Sequence, residues 1–585
     1  MYNPTLTETS QSREMLSVFG GYNHNRRISD GEFYDMTNLT SSGYPLLMSR
    51  PARGKVQQLT APGGMLAKDA MAVVDGGKLY YNGKEITGLT LSDGDKQMVS
   101  MGAYLVIWPD KVYLNTKDVT DCGSLEASWE STGNVVYSLS TMDGKAMGDI
   151  PLTQPENPTG GEYWIDTTQT PHQLMTYSAS QSMWMGVATV YTKISADGIG
   201  KAFAEGDGLE ISGIAYGGDS EAVKAQYEDL NGTKVVQSKG DDWIVVIGLI
   251  DLTYTQESGP VKAARSVPDM DYVCEAQNRI WGCKYGMVDG KTVNELYCCK
   301  LGDFKNWRVY AGVSTDAWAA SVGSDGAWTG AINYQGYPTF FKEDVIHRIS
   351  VASSGGHQVV ETAARGVQNG SWRSLCVVNE MLLYKSRTDV CAYDGSFPTS
   401  IGAAFGDVLY SKATAGCVCG KYYISMYDGS AWHLFVYDAN RAMWHREDNT
   451  HALVFARMDD DLFYIDADTK WMMCVNGTQG TPEDAPEWSA ETGVIGYDYP
   501  DKKYLSRYNI RLQIEQGGEL RLYCMYDSDG IWREAGTVRR KGHGTFTVPV
   551  IPRRCDHMRL KLSGKGVVRV FSIAKILELG SDLGW

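Results

Sequence analysis

The chain reads as an all-β protein. It is expected to be a β-propeller of about six or seven degenerate blades, with an inserted small β module and a C-terminal antiparallel β-sandwich. Three observations predict this. A strand–turn–strand unit recurs at a spacing of roughly 30 to 50 residues, the period of propellers and arrays. The aromatic residues are 35 Tyr and 16 Trp against 13 Phe, rings with a polar handle that suit strands and half-wet surfaces. The 64 glycines and few long apolar runs point to many short strands joined by turns.

Residues 1–30 read as an N-terminal arm. They lack a basic start followed by an apolar run, so ordinary secretion is not expected. The first part of the propeller is assigned to 31–133. It opens with "GEFYDMTNLTSSGYPLLMSRPARGK" (31–55), too irregular for a helix or one long strand. In it Phe33 and Tyr34 are expected to anchor, Tyr44-Pro45 to turn, and Arg50-Pro51 with Gly54 to deliver the chain into the first blade. Arg50 and Arg53 are candidate subunit contacts. The units "KLYYNGKEITGL" (78–89) and "YLVIWPDKVYLNTKDV" (104–119) follow.

A Pro/Gly-rich break, "DIPLTQPENPTGG", introduces the inserted module, assigned to 134–266. Trp164, Tyr177 and Trp184 alternate there with polar turns, and "SEAVKAQYEDL" (220–230) is expected to be a helical turn or a loop. The propeller resumes over 267–478 with units at 279–310, 337–351, 381–395, 421–448 and 461–477. Asp-Gly pairs at Asp289, Asp394 and Asp428 supply the positive φ of tight hairpins.

The polar stretch at 476–493 marks the start of the sandwich, 479–585. Clean alternation begins beyond it: Ile510, Leu512 and Ile514 face one way, Arg511, Gln513 and Glu515 the other. From residue 500 onward there are 16 basic and 9 acidic residues, which leaves 38 basic and 61 acidic elsewhere. Arg511, Arg521 and Arg559 therefore join the candidate contacts, facing an acidic neighbour. The acidic body argues against nonspecific DNA binding, whose strength comes from neutralising phosphates. No stretch of about 18 apolar residues predicts a membrane span.

The search for chemistry nominates no catalytic, cofactor or metal residue. "GIGKAF" (198–203) lacks the first glycine and the Ser/Thr of a phosphate loop and reads as a hairpin turn. Cys417 and Cys419 have no second pair at zinc spacing, and adjacent Cys298 and Cys299 point to opposite faces of a strand. His445 in "WHRED" (444–448) has no nucleophile beside it and reads as part of a solvated strand end. His24 reads as exposed and alone. The acidic turns "GSDGAW", "YDGSAW" and "YDSDGIW" are similar to the Asp-boxes of sialidase propellers, which are folding devices. A glycosidase would need two carboxylates across a sugar, and no pair stands out.

Three phrases carry a family likeness. "MLSVFGGYNHNRRISDGEFYDMTNLTSSGYPLLMSRPARG", with its P-L-x-x-R-P ending, resembles the opening of tail proteins of tailed bacteriophages, including the β-propeller nozzle proteins of short tails. "KYYISMYDGSAWHLFVYDANRAMWHRED" looks like blades of such proteins, and "GGEYWIDTTQTPHQLMTYSASQSMW" resembles hairpin modules of tails and fibres. The resemblance implies a non-enzymatic structural protein of the virion tail, assembled in host cytoplasm as a homo-oligomeric ring, a hexamer. It implies contacts with other tail or portal-proximal proteins and passage of DNA without specific binding. The rivals are an adhesin recognising host surface glycan and a propeller glycosidase or depolymerase.

Overall fold

The computed structural model describes residues 10–288, 290–351, 356–497, 502–551 and 553–579. The Asp289 turn and the first nine residues of the arm lie outside them. Among the described residues, strands dominate, and no helix is long and apolar enough to cross a membrane.

Seven small antiparallel sheets follow one another along the chain, over 62–85, 97–124, 272–321, 330–363, 376–400, 411–446 and 452–474. Each is a meander, and each of the seven sequence units supplies strands of one sheet. Neighbouring sheets are glued by separate apolar clusters. Leu79 and Leu105 lie between the first and second, Val106 and Ile280 between the second and third, and Trp281 and Phe340 between the third and fourth. Phe341 and Tyr384 join the fourth to the fifth, Leu383 and Ile424 the fifth to the sixth, and Leu434 and Tyr464 the sixth to the seventh. Val73 and Phe463 bring the seventh back to the first. The arrangement is a propeller-like cycle. Cys298 enters the cluster on one side of its strand, while Cys299 enters the cluster on the other.

The cycle is closed out of chain order, by backbone hydrogen bonding. Gly54–Gln58, just before the first sheet, pairs antiparallel with Trp471–Cys474 of the seventh. The five-residue strand Gly54–Gln58 thereby becomes the latch of the last sheet.

The insertion leaves and returns through paired strands, Ala127–Glu130 and Lys262–Arg265, so it starts ahead of residue 134. It carries three sheets, its own core around Tyr137, Ile165, Tyr227 and Ile244, and a helix Glu221–Asp229 capped by Ser220. Arg265 ties its exit to the host, its Nε donating to the carbonyl of Leu125, while another guanidinium nitrogen lies 2.5 Å from buried Asp207 inside the insertion. Ile199–Ala202 is a single helical turn, not a hairpin. Gly200 is required there, because a Cβ would lie 1.7 Å from the carbonyl oxygen of Gly240.

The remaining strands form a two-layer unit that changes the expected boundaries. One sheet combines Lys503–Ile514, Gly542–Pro549 and Val568–Leu579 with Ser10–Leu16, Leu39–Thr40 and Leu47–Ser49. The other combines Glu487–Thr492, Glu519–Tyr526, Arg533–Val538 and Met558–Lys565 with Phe33–Thr37. Residues 31–49 therefore pair with the C-terminal strands and not with the first blade. The reason is burial: Phe33, Met36, Leu39 and Leu47 fill the core between the layers. Ile510, Leu512 and Ile514 are likewise buried while Arg511 is exposed, in keeping with their alternation.

The latch has one tight point. A Cβ on Gly54 would stand 1.8 Å from the carbonyl oxygen of Gln479, whereas one on Gly133 meets nothing within 4 Å. Gly54→Ala is expected to cost about 2 kcal/mol or more, read as a lowered denaturation midpoint. Gly133→Ala should change it by less than about 0.5 kcal/mol.

Candidate functional site

Arg50 ends the strand Leu47–Ser49 and Arg53 precedes the latch strand, so the turn between them crosses from the two-layer unit to the ring. Neither reaches the surface: Arg50 is 6% exposed and Arg53 2%. Arg53 contacts Glu447 at 2.6 Å and Asp448 at 2.9 Å, and donates to Thr450 and to the Tyr464 hydroxyl. Arg50 contacts Glu483 at 2.5 Å, Asp448 at 3.4 Å and Glu447 at 3.7 Å. Its Nε donates to Asn38, whose amide nitrogen donates to the carbonyl of Glu487. Two guanidinium groups thus sit among three carboxylates. Burial pushes the Asp448 carboxyl up, and Arg53 and Arg50 more than reverse it, holding it below the usual carboxylate range.

This corrects two expectations. Arg50 and Arg53 do not lie at the surface, as the expectation of subunit contacts had them, but are buried with their charges paired inside the chain. "WHRED" is not a solvated strand end: Trp444, His445 and Glu447 are buried, and Glu447 is the hub of the network. Burial lowers His445 to about 4, with Lys421 adding to the effect, so it is neutral at pH 7. Of the other proposed contacts, Arg511 is exposed, Arg521 pairs with Glu519 at 2.8 Å, and Arg559 lies against Glu491 and over the Tyr34 ring. His24 is not alone either; its ring stacks on Tyr34 at 4.1 Å.

Other constellations resolve into structure. Ser324 and Glu361 both approach Nε2 of His347, at 2.9 and 3.4 Å, while Nδ1 is buried without a partner. A proton relay needs the hydroxyl and the carboxylate on opposite ring nitrogens. Asp428 folds its own turn, accepting from the amides of Ser430 and Ala431 and from His433. These contacts hold its carboxyl below its usual range. The phosphate-loop candidate has its amides taken, since Gly198 donates to Asp242 and Gly200 to the carbonyl of Asp241.

A second feature lies on the axis of the ring. The turn Trp372–Ser374 touches the first strands of sheets that are not its neighbours. Arg373 donates to the carbonyl of Leu453 at 3.0 Å and of Lys96 at 3.3 Å. Trp372 packs on Tyr272, and Ser371 Oγ accepts from the amide of Ala413. Contacts that radiate to the second, third, sixth and seventh sheets put this turn across one end of the axis. Close beside it, Cys376 and Cys417 stand on neighbouring first strands, and the Cys417 thiol donates to the carbonyl of Val377 at 3.4 Å. Sequence reasoning passed over Cys376, because nothing in a 41-residue separation signals that its strand and that of Cys417 are neighbours.

No protein-family model and no curated protein matches the sequence. Among solved structures, a glycoside hydrolase aligns at 11% identity, TM-score 0.19, covering 51% of this chain and 96% of its own. A family 43 arabinoxylan arabinofuranohydrolase from Bacillus subtilis aligns at 10% identity, TM-score 0.16, covering 75% and 98%. At such scores neither carries a functional argument.

Removing one member of the network strands its partners in a buried site, so Arg53→Met is expected to cost about 3–5 kcal/mol. The double variant Arg53→Met/Glu447→Met should lose less than the two single variants summed, in a denaturation cycle. His445 yields a pH prediction. An unfolded histidine takes its proton near pH 6.5, but the folded one refuses it until about 4. Its contribution is therefore complete above about pH 6.5 and disappears as the pH falls towards 4, a change of about 3 kcal/mol. His445→Gln should flatten that slope in urea titrations across this range.

Proposed function

We propose that this chain is a structural subunit of a bacteriophage tail, in which the seven sheets are the blades of a closed propeller. The insertion is then its added β module and the two-layer unit its sandwich. The observation that carries the reading is the buried network. Two of the phrases that resemble phage tail proteins, "PLLMSRPARG" and "WHRED", supply its two halves. The likeness thus rests on residues that close a scaffold and orient its parts, the work of a structural protein.

On this reading copies assemble as a ring with other tail or portal-proximal proteins, in the virion, after synthesis in host cytoplasm. The acidic body and the basic stretch from residue 500 onward attract one another across copies, with Arg511 at the surface. The DNA path runs between copies, since Arg373 bridges the axis of each propeller. Walls of acidic charge favour sliding over sticking.

One observation favours a second reading, recognition of a host glycan. Trp164, Tyr177 and Trp184 share one face of the sheet Tyr163–Asp166, Gln173–Ser178 and Met183–Gly186, with ring centroids 5.3–6.0 Å apart. The purified full chain should form multi-copy rings in native mass spectrometry and electron microscopy, coaxial with the tail when labelled on particles. A persistent monomer that binds cell-wall polysaccharide, and loses it on Trp184→Ala, would instead establish the glycan reading.

A further inference from the structure

We propose that the outer face of the sheet containing Lys503–Ile514 is a docking surface for a second copy of this chain, and that it receives an acidic corner of the neighbour's insertion. The inference rests on the ring reading and names the two surfaces that build the ring.

The basic surface follows from strand alternation. Tyr508, Ile510 and Leu512 are buried, so Arg507, Asn509, Arg511 and Gln513 stand on the opposite side, with both arginines exposed. The neighbouring strand Gly542–Pro549 sets exposed Thr545 beside Arg511 and exposed Thr547 beside Asn509. Neither Arg507 nor Arg511 has an ion pair among the described residues, and the next carboxylate along the strand, Glu515, is held by Arg569 at 3.0 Å. Two unmatched guanidinium groups therefore project from one strand, about 13 Å apart along it. Arg521 and Arg559 differ, since each has a carboxylate of its own chain beside it.

The acidic surface belongs to the insertion. Residues 127–265 hold 18 Asp and Glu against 8 Lys and Arg, a deficit of 10 in 139 residues. The other 360 residues before residue 500 share a deficit of 13. Exposed carboxylates gather where the turn Ile199–Ala202 meets the start of Trp243–Ile247. Asp242 fixes that corner by accepting from the amide of Gly198 at 2.9 Å, and the carbonyl of Asp241 accepts from the amide of Gly200 at 3.0 Å. Asp197, Asp241 and Asp242 are all exposed, and Asp197 and Asp241 have no ion pair among the described residues. Nearby cations do not quench them: Lys239 turns onto the carbonyls of Gly200 and Phe203, and Lys201 reaches Asp242 only at 4.0 Å.

Face and corner are different patches of one chain, so their contact is heterologous. Each copy offers its face to one neighbour and its corner to the other, and repetition closes a ring where the rotation allows. The charges also set direction, because face on face or corner on corner brings like signs together. Exposed ion pairs are individually weak and screened by salt, so the association is reversible and sensitive to ionic strength.

The full chain is followed by mass photometry and native mass spectrometry in about 50 and about 500 mM salt. Multi-copy assemblies are expected in the lower salt, with self-association weakened about tenfold or more in the higher. Arg507→Glu/Arg511→Glu and Asp197→Lys/Asp241→Lys should each stay single copies. Mixed in equal amounts they should assemble again, because the reversed face of one meets the reversed corner of the other, while the native face and corner still match. Assembly of either variant alone, a mixture of folded variants that stays unassembled, or wild-type assembly indifferent to salt overturns the docking pair and leaves the ring reading standing. A wild-type chain that stays single in the lower salt overturns both. If Arg507→Glu/Arg511→Glu assembles normally but loses affinity for duplex DNA, the face serves nucleic acid and the inference is wrong. The salt comparison uses the wild-type chain, so it decides even where a variant fails to fold.

Discussion

The structure hangs on two buried guanidinium groups. Arg50 and Arg53 stand where the two-layer unit, the latch strand, the sixth and seventh sheets and the linker after the ring converge, and they contact all of them. Burial of so many charges is expensive, and the attraction between them roughly offsets the loss of water. What the cluster contributes is position. Arg53 reaches Glu447 and Asp448 only if the latch enters the seventh sheet in one register. Arg50 reaches Glu483 only if the chain leaves the ring on the correct side. Apolar side chains of the same size would fill the space and accept several alignments.

Around this joint, cohesion is shared out. No large core serves the whole ring; six of the neighbouring sheet pairs have a small apolar cluster each, and the fifth and sixth sheets share the core of the two-layer unit. Such a cycle is only as good as its closure, because a missing interface frees two sheet faces at once. Two devices guard against that. The latch supplies the seventh sheet from the other end of the chain, and the Arg373 turn holds sheets across the axis that share no cluster. The insertion is attached through its paired entry and exit strands and through Asn306 and Arg308 of the third sheet's segment, which contact Asp207, Gly208 and Glu210.

Local order was well written in the sequence. The repeated units correspond to the sheets, the alternation at Ile510, Leu512 and Ile514 matches their burial, and adjacent Cys298 and Cys299 do serve opposite clusters. What stayed hidden depends on partners far along the chain. Phe33–Thr37 looks irregular because its strand neighbour, Glu487–Thr492, lies more than 400 residues away. Arginine ordinarily signals surface, and only the convergence of Glu447, Asp448 and Glu483 makes Arg50 and Arg53 interior residues. The Arg373 bridge has the same origin: periodicity reveals that repeated sheets exist, but not which side chains reach across them.

The latch also sets a timetable. Strands near the N-terminus are made first, yet Ser10–Leu16 pairs with Val568–Leu579 and Gly54–Gln58 with Trp471–Cys474. While the ribosome works through the intervening ring, these early strands have no partners and their edges stand open, the condition that invites misassociation. At a pace of about 5–20 residues per second, that exposure lasts tens of seconds. Individual sheets can form as they emerge, but the two-layer unit closes only once Val568–Leu579 has been made. A truncated product therefore carries unpaired edges at both its beginning and its end.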